Sequence, residues 1–222
     1  MVTRSADLKE NIAGLVKGGF YHSGQVCVSV QRIYVHETLL KTFEKQFVAE
    51  VKKLRVGDQL DPETDCGPLI TPREVDRVEE WVNEAINEGA ILLAGGKKIG
   101  NTLFEPTVLL NPSEESKISC QEVFGPVVCI YSYNDAKKVI EKCNQLPYAF
   151  QASVITNDLE EALIYSHQIN ATAVMVNDHT AFRVDWMPFG GRDESGIGMG
   201  GIKYSMHDMS REKLVVIKSK NL

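Results

Sequence analysis

Short β-rich runs alternate with amphipathic helical segments along most of this 222-residue chain. Apolar residues at helical spacing mark residues 8–20, 37–54, 71–88, 134–144 and 159–169, and β-rich runs cover residues 31–35, 90–94, 104–110, 127–133, 151–155 and 173–177. Strands that alternate with helices of ten or more residues are typical of βαβ units. We therefore expect an α/β domain with a mostly parallel twisted sheet and helices on both faces.

Local signals predict further details of these elements. Thr71-Pro72-Arg73-Glu74 has the sequence of a capping box with proline at the first helical position. Asn157 is predicted to cap the helix that begins at residue 159, and residues 90–94 have the composition of a buried strand. A glycine-rich segment, residues 190–201, leads towards a last strand-like run at residues 214–218.

The charge and the apolar pattern exclude several classes of partner. The formal net charge is -6, from 30 acidic and 24 basic residues without long blocks of one sign, whereas nucleic-acid binding needs a basic surface. No apolar run reaches the length of a membrane span, and the N-terminus lacks the apolar core of a signal peptide. We therefore expect a soluble cytoplasmic protein, with neither nucleic acid nor membrane as a partner.

The chain contains five cysteines, an odd number with no C-x-x-C pair, at Cys27, Cys66, Cys120, Cys129 and Cys143. This pattern predicts neither a disulfide framework nor a metal site. Cys27 differs from the others because Gly18, Gly19 and Gly24 precede it. Glycines allow backbone N–H groups to approach a reacting centre, and an N–H beside a nucleophile can hold a developing oxyanion. From the residues alone, Cys27 is a candidate nucleophile.

Seven groups of short motifs follow one another in a fixed order. They are FYHSGQVC at 20–27 with Arg32 and Val35, GD at 57–58 with GPLI at 67–70, FEPTV at 104–108, EVFGPV at 122–127, LPYA at 146–149, VN at 176–177, and PFGG at 188–191 with Ser195-Gly196 and Gly198. Together they resemble the aldehyde dehydrogenase superfamily over essentially all of the chain. Residues 200–213 are similar to its lactaldehyde and semialdehyde dehydrogenase branch.

The resemblance implies a catalytic domain at residues 1–199 and a C-terminal tail at residues 200–222 with an oligomerisation strand, in a homodimer or higher homo-oligomer. It also implies that a small-molecule aldehyde is oxidised to an acid with NAD or NADP. Cys27 would form a thiohemiacetal with the aldehyde, and loss of hydride would leave a thioester for water to hydrolyse. The backbone N–H of Cys27 would be one oxyanion donor.

The same resemblance implies roles for further side chains. Glu122 would accept hydrogen bonds from the nicotinamide-side ribose hydroxyls, because a carboxylate offers two acceptor oxygens to a diol. Phe124 would pack near the nicotinamide ring, and Asn177 and Phe189 would line or support the aldehyde pocket. Arg183 can pair with a substrate carboxylate, or equally with a neighbouring carboxylate or loop of the protein.

Two groups of the family mechanism have no counterpart in the sequence. Family members carry a general-base glutamate and an oxyanion-hole asparagine before the cysteine, and the cofactor-binding domain also lies there; none of these precedes Cys27. Losing a general base costs about 10²–10⁴-fold, and losing an oxyanion donor costs about 10²–10³-fold. We therefore expect this chain alone to be inactive. The alternatives are a non-catalytic assembly fragment and a hydrolase that uses a Cys27–His22 dyad.

Overall fold

The computed structural model describes residues 1–221 and confirms the predicted alternation of helices and strands. The helices are α1 (Leu8–Phe20), α2 (Glu37–Val51), α3 (Pro72–Asn87), α4 (Lys117–Cys120), α5 (Ala136–Cys143), α6 (Leu159–Gln168) and α7 (Ile202–Asp208). The strands are β1 (Arg32–His36), β2 (Ile91–Ala94), β3 (Lys98–Ile99), β4 (Leu103–Phe104), β5 (Thr107–Leu110), β6 (Val127–Tyr133), β7 (Tyr148–Ala149), β8 (Gln151–Val154), β9 (Ala173–Val176) and β10 (Arg192–Asp193). Within residues 1–221, no helix combines the length and apolar composition of a membrane span.

The main sheet has four strands in the order β1-β6-β5-β2. β6 is parallel to β1 on one side and to β5 on the other, whereas β2 pairs antiparallel with β5 at the edge. A second parallel pair, β8 and β9, is connected by α6. The prediction of a mostly parallel sheet is therefore confirmed.

The first three residues join the two sheets. Val2 forms parallel bridges to Val35, in β1, and to Ile155, which follows β8. Its N–H donates to the Tyr34 carbonyl at 2.7 Å, and the Thr3 N–H donates to the Ile155 carbonyl at 2.9 Å. Through these two bridges the short segment acts as an extra strand between β1 and β8, and Val2 is almost completely buried there.

Helices cover both faces of the main sheet, as predicted. Successive residues of a strand point to opposite faces, and in β6 Val128 and Ile130 contact the cluster that contains the buried residues of α1 and α2. Cys129 and Tyr131 belong instead to the cluster on the α3 side. The result is a helix–sheet–helix core with the middle strand buried on both sides.

Two of the predicted strands differ in detail. The run at 104–110 is divided into β4 and β5, with Glu105 and Pro106 between them; Pro106 has no N–H to donate to a strand partner. The run at 90–94 was predicted to be buried, which is wrong: Ile91 is 55% exposed. β2 is the edge strand, so its pairing and packing partners lie on one side only.

The predicted start of α3 is confirmed, with Thr71 at the N-cap and Pro72 as the first helical residue, but the hydrogen bonds of a capping box are absent, and the predicted cap of α6 is wrong. The Thr71 side chain makes no capping hydrogen bond, and Glu74 bonds to Arg77 rather than reaching back to residue 71. Asp158, rather than Asn157, caps α6, because its carboxylate accepts hydrogen bonds from the N–H groups of Glu160 and Glu161. A carboxylate in this position also interacts favourably with the helix dipole.

The predicted C-terminal strand is absent from the described part of the chain. Residues 214–218 are assigned to no strand, and the apolar residues among them are exposed: Leu214, Val215, Val216 and Ile217. A strand requires a partner for its backbone N–H and C=O groups. Nothing within residues 1–221 pairs with this segment, and so no strand forms.

Replacing either of two glycines of α1 by alanine should change the free energy of unfolding, with opposite signs at the two positions. A Cβ on Gly19 would lie 2.7 Å from Cγ2 of Val128 in the core, whereas a Cβ on Gly14 would meet only ordinary contact, at 3.7 Å from His179. We expect Gly19→Ala to lower the free energy of unfolding by about 1–3 kcal/mol through overpacking. Gly14→Ala should raise it by about 0.5–1 kcal/mol through helix propensity. Urea denaturation measures both, and equal effects would contradict the packing of α1 on β6.

Candidate active site

Cys27 lies in a tight turn just before β1, with an exposed thiol. The Ser29 N–H donates to the Val26 carbonyl at 3.0 Å, so Cys27 and Val28 are the two central residues of the turn. The Cys27 N–H has no hydrogen-bond acceptor within residues 1–221. An exposed sulfur beside a free backbone donor is the arrangement that a carbonyl electrophile needs.

The three residues His22, Ser23 and Gly24, which end at the third residue before Cys27, all have left-handed backbone conformations, with φ values of 49°, 55° and 71°. For a residue with a Cβ, this conformation costs about 1–2 kcal/mol. Neighbouring backbone holds the segment in place: the Ser23 hydroxyl donates to the Gly67 carbonyl at 2.7 Å, and the Gln25 side chain accepts from the Ile70 N–H at 2.9 Å. Such strain is concentrated at functional sites.

The cysteine loop is pressed against the loop that carries Glu122. A Cβ on Gly24 would lie 2.1 Å from the carbonyl oxygen of Gly125, so only glycine permits this approach. Between Glu122 and Gly125, Phe124 also has a left-handed backbone, with φ 49°, and its side chain is 39% exposed. A bulky residue in that conformation is a genuine outlier. The two strained loops therefore face each other.

A cleft of about 660 Å³ opens beside these loops, and a smaller cavity of about 40 Å³ lies between them. Four residues line both spaces, namely Cys27, Ser29, Gln31 and Glu122. The thiol and the carboxylate thus border the same spaces. Glu122 keeps contact with solvent, but partial burial raises the pKa of its carboxyl group above the ordinary value.

The predicted substrate residues lie further along the chain. Phe189 packs edge-on against Phe150, which lines the large cleft, with 5.0 Å between ring centroids. The Arg183 guanidinium lies over the Phe189 ring, 4.4 Å from its centroid. Arg183 forms no ion pair with Asp185 in the described residues. Neither Phe189 nor Arg183 lines the cleft itself.

Asn177 has a structural use in the described chain. Its backbone is left-handed, with φ 56°, and its side-chain oxygen accepts the Thr156 N–H at 2.8 Å. Asn177 is not among the residues that line the large cleft. The structure therefore places its side chain beside the end of β8.

The remaining thiols and His22 do not form a second catalytic arrangement in residues 1–221. No hydrogen bond joins His22 to Cys27 there, so the predicted alternative dyad is not assembled. Burial raises the pKa values of Cys66 and Cys129 to about 12. The same part of the chain contains no group of three or more His, Cys, Asp or Glu side chains arranged to hold a metal ion.

Two polar residues that connect the site to the rest of the fold were not predicted from the sequence. Gln31 lies immediately before β1, and its side chain bonds to the loop around Glu122. Thr180 donates from its hydroxyl to the Val28 carbonyl at 2.6 Å and holds the far side of the cysteine turn. The only sequence signal for Gln31 is its polar side chain next to the apolar residues of β1. No local pattern marks Thr180.

The fold and the site define an α/β domain in which an exposed thiol and a half-solvated carboxylate share one cleft. A family model described as the aldehyde dehydrogenase family matches residues 1–215. The chain belongs to this family, and the predicted family is confirmed.

Curated relatives include enzymes of the predicted branch. A 3-sulfolactaldehyde dehydrogenase of Priestia megaterium is 42% identical over 217 residues, which are 98% of this chain and 45% of the relative. A lactaldehyde dehydrogenase of Methanocaldococcus jannaschii is 39% identical over 218 residues, or 98% of this chain and 46% of that protein. The chain therefore spans a little under half the length of these relatives.

Solved structures have the same fold. Glyceraldehyde-3-phosphate dehydrogenase GapN from Methanocaldococcus jannaschii, complexed with NADP, has a TM-score of 0.91 and 39% identity, and the match covers 95% of this chain and 45% of that one. Aldehyde dehydrogenase 21 from Physcomitrella patens, in complex with the reaction product succinate, has a TM-score of 0.90 and 40% identity, with coverages of 94% and 44%. A betaine aldehyde dehydrogenase double mutant from Staphylococcus aureus, in complex with NAD+, has a TM-score of 0.88 and 29% identity, with coverages of 93% and 43%.

The raised pKa of Glu122 predicts a stability that depends on pH. Because folding favours its protonated form, the contribution of Glu122 to stability is present below the unfolded-state pKa and is lost as pH rises through the higher folded-state pKa. Glu122→Gln should therefore raise the free energy of unfolding relative to wild type at about pH 7, and this gain should shrink towards about pH 4. Urea unfolding at both pH values measures it. The exposed Glu212 provides the control Glu212→Gln, and an equal pH-dependent gain in that variant would contradict the assignment.

Proposed function

We propose that this chain is the cysteine-bearing part of an enzyme that oxidises an aldehyde to a carboxylic acid with NAD or NADP. The supporting observation is the exposed Cys27 thiol, which lies in a turn with an unbonded N–H and shares a cleft with Glu122. Membership of the aldehyde dehydrogenase family agrees with this chemistry.

Cys27 carries the covalent steps of the proposed reaction. Its thiolate forms a carbon–sulfur bond with the aldehyde carbon, and the carbonyl oxygen becomes an oxyanion that accepts the Cys27 N–H. Bound NAD or NADP supplies a two-electron acceptor for the hydride that leaves this carbon. Water then hydrolyses the thioester on Cys27, which releases the acid and restores the thiol.

The residues present suit the nicotinamide end of such a cofactor. Glu122 offers two acceptor oxygens at the edge of the cleft, where ribose hydroxyls can donate to them. Phe124 exposes part of its ring beside the same small cavity. We assign the ribose contact to Glu122 and the nicotinamide contact to Phe124.

A short aldehyde with a polar or anionic end is the proposed substrate class. Curated relatives are named for lactaldehyde and for 3-sulfolactaldehyde, and the P. patens structure contains succinate. Arg183 is exposed and forms no ion pair within residues 1–221, so its charge is available to an anionic group. Phe189 holds it against the aromatic wall next to the cleft, and Asn177 supports the neighbouring strand end.

This chain by itself should not complete the reaction. Residues before Cys27 include no counterpart of the general-base or oxyanion-hole motifs that the family resemblance implies, and the curated relatives are about twice as long. We therefore propose that Cys27 forms its adduct but that turnover needs residues outside this chain. Adduct formation at Cys27 can then be measured separately from turnover.

Reversible adduct formation at Cys27 tests the proposal. Lactaldehyde should slow alkylation of Cys27 by iodoacetamide at concentrations about tenfold lower than those that protect Cys120, because the free N–H stabilises the oxyanion in one site only. Peptide mapping by mass spectrometry measures both thiols in one sample. Equal protection of the two cysteines would contradict a dedicated carbonyl site at Cys27.

An anionic aldehyde provides the matched comparison. Arg183→Met should weaken protection of Cys27 by 3-sulfolactaldehyde and leave protection by lactaldehyde unchanged, because only the former carries the sulfonate charge. Arg73→Met, at an exposed position of α3, should change neither. Equal losses for both aldehydes would remove Arg183 from substrate recognition.

We also propose that the C-terminal segment makes this chain a homodimer or higher homo-oligomer. Its exposed apolar residues have unpaired backbone and can add a strand to a second copy. Light scattering should show self-association of the wild type and only monomer for Val216→Lys. Leu60→Lys, which also replaces an exposed apolar residue, is expected to associate like wild type. A wild type that stays monomeric at high concentration would refute this assignment.

The cytoplasmic location stays a prediction. All five cysteines are free thiols, which suits a reducing compartment.

A further inference from the structure

One side-chain amide holds the loop on both sides of Glu122. The Gln31 side-chain oxygen accepts the Val123 N–H at 3.0 Å. Its amide nitrogen donates to the Gln121 carbonyl at 2.7 Å and to the Ile118 carbonyl at 3.1 Å. The residue before Glu122 and the residue after it are therefore bonded to the same planar group.

A second side chain fixes the same peptide from the opposite direction. Arg77, on α3, donates to the Val123 carbonyl at 2.7 Å. Its guanidinium is itself held by Glu74 at 2.8 Å and lies 4.6 Å from the Trp81 ring centroid. Both backbone groups of Val123 are thus satisfied by side chains from two different elements, which leaves the neighbouring Glu122 little freedom to move.

Glutamine suits the position of residue 31 because the loop presents one N–H and two carbonyls. A glutamine amide provides one acceptor and two donors, so each of the three groups receives its complement. A glutamate would set a carboxylate oxygen against two carbonyl oxygens. A methionine would leave the Val123 N–H and the Gln121 carbonyl without a partner, and the Ile118 carbonyl with only the weak Cys129 thiol donor at 3.9 Å. Buried or half-buried polar groups without partners are costly.

Gln31 also connects the carboxylate to the thiol. It follows Cys27 by four residues at the entrance of β1, and it lines both the large cleft and the small cavity with Cys27 and Glu122. The Gln31 amide therefore ties the segment before β1 to the loop before β6 through hydrogen bonds. We propose that Gln31 is a positioning residue that sets the Glu122 carboxylate for the cofactor ribose; this rests on the proposed nicotinamide-dependent function.

Nicotinamide mononucleotide is the probe, because it contains the ribose that Glu122 is assigned to bind and lacks the adenosine half. Gln31→Met should weaken its binding by about tenfold, as measured by calorimetric titration. The rate of Cys27 alkylation by iodoacetamide should stay unchanged, since the Val26–Ser29 bond that closes the cysteine turn does not involve Gln31. A purely structural role would alter both readouts together.

A control variant, a second variant of Gln31 and a hydrogen-exchange measurement complete the test of Gln31. Gln46→Met, at an exposed position of α2, is the matched control and should bind like wild type. Gln31→Glu keeps the side-chain length and should also weaken binding, which provides a second variant if Gln31→Met does not fold. Hydrogen exchange at the Val123 amide, followed by NMR, should become about tenfold faster in Gln31→Met and not in Gln46→Met.

The outcomes separate the inference from the proposed function. Unchanged affinity for nicotinamide mononucleotide in a folded Gln31→Met, or unchanged exchange at Val123, overturns the role of Gln31. Absence of binding by the wild-type chain counts against the proposed function, and the exchange comparison then decides whether Gln31 fixes the loop. Weaker binding with faster exchange and an unaltered Cys27 rate supports both.

Discussion

The candidate site depends on one contact between two stretches of backbone, that of Gly24 with Gly125. A side chain at position 24 would overlap the Gly125 carbonyl, and a side chain at position 125 would meet Val78 of α3 at 2.7 Å. Gly24 therefore allows the thiol loop to touch the carboxylate loop without an intervening layer, and Gly125 allows the carboxylate loop to pack closely on α3. The relation between Cys27 and Glu122 is set by backbone packing, which is stiffer than a contact between two long side chains.

The site lies at the amino ends of β1 and β6, although open α/β sheets usually bind ligands outside the carboxyl ends of their strands. Cys27 precedes β1, and Glu122 precedes β6. Because these strands are parallel neighbours, the segments before them emerge at the same edge of the sheet. The parallel pairing of β1 with β6 thus explains why residues nearly a hundred positions apart border one cleft.

Periodicity predicted the elements whose pattern is local. The run predicted at 127–133 is β6 as observed, and α1 has the predicted bounds, because each shows one uninterrupted apolar pattern. Pattern alone failed where a distant partner decides: Val2 becomes a strand link through β1 and β8, and residues 214–218 remain unpaired. Cys27 and Glu122 were recognisable from their motifs. Gln31 was not, because its role comes from three backbone groups that lie about ninety residues further along the chain.

The unfavourable features of the chain bear on whether it is only an assembly fragment. His22, Ser23 and Phe124 all have left-handed backbones, each at a cost of about 1–2 kcal/mol. Glu122 adds a carboxylate whose ionised form is disfavoured by its surroundings. A fragment needed only for its shape would be more stable with glycine at the strained positions and a neutral side chain at 122. Three further non-glycine residues with left-handed backbones, Asn111, Asn177 and Asp193, lie outside these loops, but asparagine and aspartate adopt this conformation more readily. The residue types that adopt it least readily, those of Ser23 and Phe124, lie in the two loops that face the cleft, which favours a catalytic origin for the site over a purely structural one.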